Sequence, residues 1–533
     1  MTSYTYSQKT ESSLSDTPST VISIDCGTQS IRVMLFSSKG VLIDKEQVSY
    51  EPYISPKPGW AEQDPEVFWN GLCKASSALK ERQPDLYHSV QGVGVTAQRD
   101  SMINIDISGK TLRPVITWLD QRKAKPLYQP NPFMKIALSM FGMSEAVKKI
   151  QSEAKCNWIR QNQPDIWKET HKYLQVSGFL NYRLTGKFID SVASQIGHIP
   201  FDYRLMRWAK QNSLNMMVCP VEHSKLPELV LPGEEIGSIS KEAAIATGIN
   251  AGTPVIACGS DKGCETIGVG VLNPSMASLS FGTTATVQTT TKRYCEPLKF
   301  MPAYPAPITG HYNLEVEIFR GFWMITWFKN EFAQKEIEAA AARGVAPEIV
   351  MNEMLNKTSP GSMGLIVQPY WGPGLKTPSA KGAIVGFGDV HKKAHVYRAV
   401  IEGLCYGLLD GLNKIEKACG TTVKMLAVSG GGSQSDAICQ IAADIFNRPV
   451  LRGNSFETSG LGAAIVAAKG VGIHNSFESA IKAMVDYKQR YNPNPANARL
   501  YQHLFSRVYT KLYPSLEKIY EEIRDITGYP EKT

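Results

Sequence analysis

The first regular pattern in the chain is an apolar run, Val21 to Ile24, that stops on a carboxylate, Asp25. A polar turn, Gly27-Thr28-Gln29-Ser30, is followed by a second apolar run from Ile31 to Phe36. Two such runs around a turn predict a β-hairpin, and Ser38-Lys39-Gly40 starts another leading into Val41 to Ile43. Pro65 ahead of Val67, Trp69, Leu72 and Leu79 predicts an amphipathic helix. Val93 to Val95 and Met102 to Ile105 read as strands. Residues 123–250 read as mostly helical, with a stretch from Ser177 that Gly186 stops. The run from His395 is apolar nearly all round, which predicts a buried helix in which Gly403 and Gly407 permit close packing and His395 is a helix-end residue. Met425 to Val428 predicts a strand, Gly430-Gly431-Gly432 a loop, and the residues to Phe446 a helix. A small-residue helix from Gly460 is expected to pack against it. Tyr501, Leu504, Val508, Leu512 and Leu516 lie at helical spacing and predict a core-facing stripe.

The first turn joins strand to strand, so neither the P-loop nor the dinucleotide fingerprint, which join strand to helix, describes it. A glycine there lets backbone N–H groups face an anion. Thr28 and Ser30 add hydroxyls, Arg32 a candidate partner charge, and Asp25 a carboxylate suited to Mg²⁺ through water. The same shape returns at Ala277 to Gln288, where an apolar run ending at Phe281 meets Gly282-Thr283 and a second strand. Two copies far apart predict two related domains, each presenting a phosphate-binding hairpin to one cleft.

Length changes the picture next. At 533 residues the chain exceeds the size at which one core stops growing, about 250–300 residues, so two domains are expected. The boundary falls just before Thr253, giving domains at 20–252 and 253–533, after a Ser/Thr-rich segment over 1–19 read as a disordered tail. The net charge of +8 is spread along the chain and carries no nucleic-acid message. Ten cysteines without a CxxC pairing fit reduced thiols in a cytoplasmic protein. No apolar stretch is long enough to span a bilayer.

Polar clusters at strand ends are where α/β proteins hold ligands. Gln98-Arg99-Asp100, Trp118-Leu119-Asp120-Gln121-Arg122 and Ser260-Asp261-Lys262 are such clusters. The Gly430 to Gly432 loop lets backbone approach a flat ligand, and Ser433 follows it.

Taken in order, these segments resemble the FGGY family of carbohydrate kinases. The most specific piece is Gly382-x-x-x-Gly386-Phe387 with His395-Val-x-x-Ala399-Val-Ile-Glu402; Asp25-x-Gly27-Thr28, Pro58-Gly-Trp-Ala-Glu-Gln-Asp64, Trp118-x-Asp120-x-Arg122, Gly282-Thr283 and Gly430 to Gly432 join it. The resemblance implies an α/β protein with the two-domain actin/hexokinase/Hsp70 ATPase fold, closing on its substrates around an inter-domain cleft. It implies ATP and Mg²⁺, and transfer of the γ-phosphate to a hydroxyl of a small sugar or polyol. Asp261 matches the family's catalytic base and Asp25 its Mg²⁺-associated carboxylate. Thr28, Gln29, Ser30, Arg32, Gly282 and Thr283 fall on the phosphate side, and Gly430, Gly431, Gly432 and Ser433 on the adenosine side. Arg99 and Asp100 look like the Arg-Glu pair with which glycerol kinases hold substrate hydroxyls, where xylulokinases carry Met-His. The Pro58 to Asp64 segment reads like xylulokinases.

Lys262 departs from both groups, whose neighbour of the catalytic Asp is Gln or Asn. It is expected to contact the acceptor or to lower the pKa of Asp261. The expected acceptor is a ketopentose such as xylulose or ribulose, held by Arg99, Asp100, Asp261 and Lys262; glycerol or an autoinducer-type signal is the alternative. A homodimer is in keeping with the resemblance. A partner-driven ATPase of the same fold is the alternative of another class, and the lack of a separate peptide-binding segment after the nucleotide module speaks against it.

Overall fold

The computed structural model describes residues 19–529 apart from 141, 142, 300 and 373–378, so all but the last residue of the expected tail lies outside the described residues. Two sheets dominate. The first holds β1 (Thr20–Cys26), β2 (Ser30–Ser37), β3 (Leu42–Ser49), β4 (Val90–Ala97), β5 (Glu235–Ser238) and β6 (Pro254–Ile256). Their order across the sheet is β3-β2-β1-β4-β6-β5. The second holds β7 (Met276–Phe281), β8 (Ala285–Thr291), β9 (Tyr312–Ile318), β10 (Met425–Ser429), β11 (Val450–Gly453) and β12 (Tyr487–Tyr491). Their order is β9-β8-β7-β10-β11-β12, with Tyr304–Pro305 added outside β9. Position by position the two sheets repeat each other. On one side of β1 or β7 an antiparallel partner carries a further antiparallel strand, and two parallel strands and a closing antiparallel one lie on the other side. The hairpin repeat in the sequence is therefore the visible tip of a whole-sheet repeat.

Helices cover the sheets: α1 (Glu66–Arg82), α2 (Lys155–Asn162), α3 (Val176–Thr185), α4 (Asp261–Gly268), α5 (Lys393–Cys419), α6 (Asp436–Phe446) and α7 (Thr458–Gly470) are those that bear on the site. α5 is buried along most of its length, and Gly403 and Gly407 let Val367 and Ile318 pack against its backbone, as the pattern predicts. His395 caps its start, its Nδ1 accepting from the Lys392 amide at 3.0 Å.

Four expectations are corrected. β6 is hydrogen-bonded to β4, so the expected boundary before Thr253 falls inside the first sheet. The segment 123–250 also carries strands, including Lys172–Gln175, Ile189–Ser191 and Glu228–Val230, which are too short to display an alternation. α7 packs with α4 and Val21, Met34 and Ile256 of the first sheet, not with the helix after the triple-glycine loop. Its Gly462 lies against the Cys264 carbonyl and Gly268 of α4 against the Thr458 carbonyl, so each glycine fills a place where a Cβ has no room. In the C-terminal stripe a π-helical turn over Phe505–Tyr509 inserts a residue, so Tyr509 is buried and Val508 is 40% exposed.

Candidate active site

Strand register explains why distant residues meet. In the first sheet the parallel strands β1, β4 and β6 end side by side: Cys26 pairs with Ala97, and Ala97 bridges Ser260. Gly27, Gln98-Arg99 and Asp261 therefore leave adjacent strands at their carboxyl ends, where open α/β sheets bind ligands. In the second sheet Ser280 pairs with Ser429 across β7 and β10, so Gly282 and Gly430 leave together. A Cβ on Gly430, whose φ is +78°, would meet the Phe281 carbonyl and the Gly282 amide. Gly432 similarly makes room for the Phe322 ring, which stacks on Phe281 at 4.6 Å.

The two hairpin glycines differ from these. Neither Gly27 nor Gly282 has a positive φ, and a Cβ on either meets nothing closer than 3.5 and 3.4 Å. The fold does not require glycine there. What the missing side chain leaves is open backbone, which is what an approaching phosphate needs.

Asp25 lies at the centre of the charge. Arg32 reaches it at 3.1 Å and also Glu457 at 3.4 Å. Burial lifts the Asp25 carboxyl to about 7 against the pull of Arg32, with Asp261, Glu457 and Glu265 adding to the rise. Burial also raises Asp261, opposed by Arg99 and Lys262. Asp261 is the first residue of α4, and Ser260 caps that helix, its hydroxyl accepting from the Gly263 amide at 3.3 Å. The Asp261 carboxylate is thereby left facing the cleft, with Arg99 Nε 3.9 Å from Oδ1.

Arg99 crosses the cleft. Its guanidinium donates to both oxygens of Glu315 on β9, at 2.9 and 3.2 Å, and lies over the Tyr304 ring. Glu317, two residues on and facing the same way, is pushed to about 7 by burial and by Glu315. The Asp100 carboxylate is held by Lys155 and His198.

Thr28 is clamped, its hydroxyl donating to Gln98 Oε1 at 2.8 Å and accepting from the Trp118 indole at 2.9 Å. Gln63 Nε2 donates to the Thr28 carbonyl at 3.1 Å. The two tryptophan motifs form one cluster behind this clamp. The Arg122 guanidinium lies 3.7 Å from the Trp60 ring centre, and Asp120 accepts from both Arg122 and the Ala61 amide.

Several expected ligands already have protein partners. Glu265, one turn along α4, and the Ser280 hydroxyl hold the Lys262 ammonium at 2.8 and 2.9 Å, beside Gly282. Burial works against its charge, but Glu265 and Asp261 outweigh it and raise its pKa. Arg32 pairs with Asp25 and Glu457. Ser433 is buried, its hydroxyl donating to the Gly430 carbonyl at 2.7 Å, so it shapes the loop. Ser30 is buried at the start of β2, and its carbonyl closes the turn by accepting from Gly27 at 3.0 Å. Gln29, Thr283 and Gly431 are exposed at the turns. Sequence reasoning missed Glu315, Glu317, Tyr304, Lys155 and His198; the alternation Leu314, Val316, Ile318 against the two glutamates was the available signal for the first pair.

Two repeated sheets, each with a hairpin turn at its centre and a cleft between, define the two-domain actin/hexokinase-like fold. Residues 20–268 match the N-terminal domain, and residues 277–471 the C-terminal domain, of the FGGY family of carbohydrate kinases. The chain belongs to that family, and is a phosphotransferase with an alcohol group as acceptor. It is 27% identical over 514 residues to the uncharacterized sugar kinase YgcE of Escherichia coli, covering 95% of this chain and 97% of the relative. It is also 27% identical over 518 residues to xylulose kinase of Lactococcus lactis, covering 94% and 98%. Among solved structures, gluconate kinase from Lactobacillus acidophilus superposes with a TM-score of 0.79 at 23% identity, covering 95% of this chain and 99% of that one. No helix among the described residues is long and apolar enough to cross a membrane.

Proposed function

We propose that the protein transfers the γ-phosphoryl group of ATP to a hydroxyl of a small neutral ketose or polyol, a ketopentose such as xylulose or ribulose being the best fit. The observation that carries this reading is the Asp261 carboxylate, open to the cleft and 3.9 Å from an arginine that the opposite sheet anchors. In the proposed reaction Arg99 helps seat the acceptor, and Asp261 accepts its hydroxyl proton as the new O–P bond forms. The raised pKa of Asp261 suits a base that takes a proton late and gives it up again. ATP is seated by the backbone at Gly27-Thr28 and Gly282-Thr283, with the adenosine toward Gly430 to Gly432. Lys262, charged and beside Gly282, supplies positive charge to the phosphate chain.

The residues present suit Mg²⁺. Asp25 sits near Asp261, Glu457 and Glu265; those three have Arg99, Lys45 and Lys262 as partners, and Asp25 itself has only Arg32, which it shares with Glu457. Among the described residues no three His, Cys, Asp or Glu side chains converge into a protein cage, in keeping with an ion that keeps its waters and binds phosphate oxygens. Bound beside Asp25, Mg²⁺ would neutralise charge on the phosphoryl oxygens.

Relatives and neighbours are named for xylulose and for gluconate. The cations nearest the acceptor each already have a carboxylate, Arg99 with Glu315 and Lys155 with Asp100. That balance favours a neutral acceptor over an aldonic acid. The test is ADP release with ATP and Mg²⁺ across D-xylulose, D-ribulose, glycerol, gluconate and a linear hydroxyketone, repeated with Asp261→Asn. A neutral acceptor should stimulate release, and the variant should lose about 10³-fold or more in kcat with ATP affinity nearly unchanged. Near wild-type turnover in the variant would remove Asp261 from the role of base. Stimulation by gluconate alone would overturn the acceptor class.

A further inference from the structure

Asp100 is unusually constrained for a surface-loop carboxylate. Its φ is +53°, a left-handed conformation rarely taken outside glycine. Its carboxylate takes three hydrogen bonds: Oδ2 accepts from Lys155 Nζ at 2.6 Å and pairs with His198 Nδ1 at 2.9 Å, while Oδ1 accepts from the His198 amide at 3.0 Å. Gly197, at φ +140°, lies against the same carboxylate where any Cβ would collide with it. On its far side the His198 ring reaches Glu153 at 3.5 Å. Two cations and two anions thus close on one another.

Lys155 is the most telling member. It is the first residue of α2, so its charge sits at the positive end of the helix dipole, and its side chain is only 6% exposed. Helix stability alone disfavours a buried lysine there. Asp100 supplies the compensation.

We propose that Lys155 and His198 are positioning residues for the acceptor, holding Asp100 so that a single free lone pair, on Oδ1, faces one acceptor hydroxyl. This rests on the reading of Asp100 as an acceptor ligand. A carboxylate accepts about four hydrogen bonds, and three are taken. The one remaining place suits a hydroxyl donor and repels an acceptor that carries its own carboxylate at that point. The cluster therefore selects neutral polyhydroxylated acceptors over aldonic acids and fixes which hydroxyl lies nearest Asp261.

The charged and titratable groups facing this cluster allow a pH signature. Around Asp100 lie Lys155, His198, Arg99, Tyr173, Tyr203 and the Cys219 thiol; around His198 lie Asp100, Glu153 and Lys155. The tyrosines and the thiol are raised far from neutrality. Burial works against the charge of His198, but Asp100 and Glu153 raise it from 6.5 to about 9. Its hold on Asp100 is therefore complete below about 6.5 and is lost as pH rises through about 9.

The experiment uses the full chain, with initial rates against D-xylulose and D-ribulose at saturating ATP. Lys155→Met should raise the acceptor KM about tenfold or more while the KM for ATP stays within about twofold. Lys155→Arg should recover most of that loss. The wild-type acceptor KM should climb above pH 9, and His198→Gln, which keeps a side-chain donor, should flatten that limb. An acceptor KM within twofold of wild type in Lys155→Met would overturn the proposal, as would equal losses for ATP and acceptor together with a lower Tm. If the wild type uses neither sugar, it is the assignment of a ketopentose acceptor that fails. The cluster is then judged by NMR titration of His198, expected near 9 in the wild type and falling toward 6.5 in Asp100→Asn. Titration near 6.5 in the wild type would overturn it.

Discussion

The two Gly-Thr hairpins share a backbone plan and carry opposite charges. Aligned on Gly27 and Gly282, Asp25 of the first corresponds to Ser280 of the second. In the first, the strand ends on a carboxylate within reach of Arg32. In the second, it ends on a hydroxyl that accepts from Lys262 at 2.9 Å and donates to Glu265 at 2.8 Å. The turns differ by one residue, four between Cys26 and Ile31 and three between Phe281 and Ala285. The first turn is also tied to the acceptor wall through Gln98 and Trp118, whereas the second is tied to the triple-glycine loop through Phe281. A repeated sheet thus carries a carboxylate with its arginine in one half where the other carries a hydroxyl between a lysine and a glutamate.

Substitutions should separate the two halves. Of the substitutions at the two hairpins, Asp25→Asn should have the largest effect, a loss of about 10²–10³ in kcat at saturating Mg²⁺ and ATP. Its pH dependence carries more information. The Asp25 carboxyl is raised to about 7, so its neutral form favours the ligand-free fold and that contribution disappears as pH rises from 3.8 through 7. Mg²⁺·ATP needs the ionised form, so its affinity in the wild type should weaken as pH falls from 8 to 6, measured by calorimetry. In Asp25→Asn the slope should vanish; an unchanged slope would break the assignment.

Lys262→Met should come next, with a loss of about tenfold to a hundredfold in kcat and a weaker hold on ATP, while the acceptor KM moves little. A rise confined to the acceptor KM would return Lys262 to the acceptor wall. The smallest effect should come from Gly282→Ala. A methyl group there has 3.4 Å of clearance, so Tm should change by no more than about 2 °C while ATP affinity falls several-fold. A lower Tm with unchanged affinity would mean that the glycine serves the fold and not the phosphate.

Much of this was legible in the sequence because the hairpins, glycine loops and strand-end carboxylates are local patterns. Asp25 and Asp261 announce themselves by ending apolar runs. Glu315 and Glu317 do not. They alternate with Leu314, Val316 and Ile318, a pattern that marks an apolar and a polar face of a strand without saying that the polar face meets Arg99 from the other sheet. Lys155 at a helix start reads as a solvated charge until the loop carrying Asp100 is laid over it. Arg32 and Ser433 read as polar residues beside a glycine turn; that the one pairs with Glu457 and the other bonds the Gly430 carbonyl depends on contacts that local sequence does not display. The extent of the first domain was hidden because β6 spans only Pro254–Ile256 and its partner strand is more than 150 residues upstream.

The return of α7 to the first sheet has a consequence for how the protein is made. Val21, Met34 and Ile256 stay uncovered until residues near 470 have left the ribosome, so the first sheet cannot finish burying its surface while it is being synthesised. The second sheet draws all its strands from residues 276–491, so its own last strand emerges shortly after α7. The half made first therefore stays incomplete until nearly the whole chain has been synthesised, and both halves finish burying their surfaces close together in time.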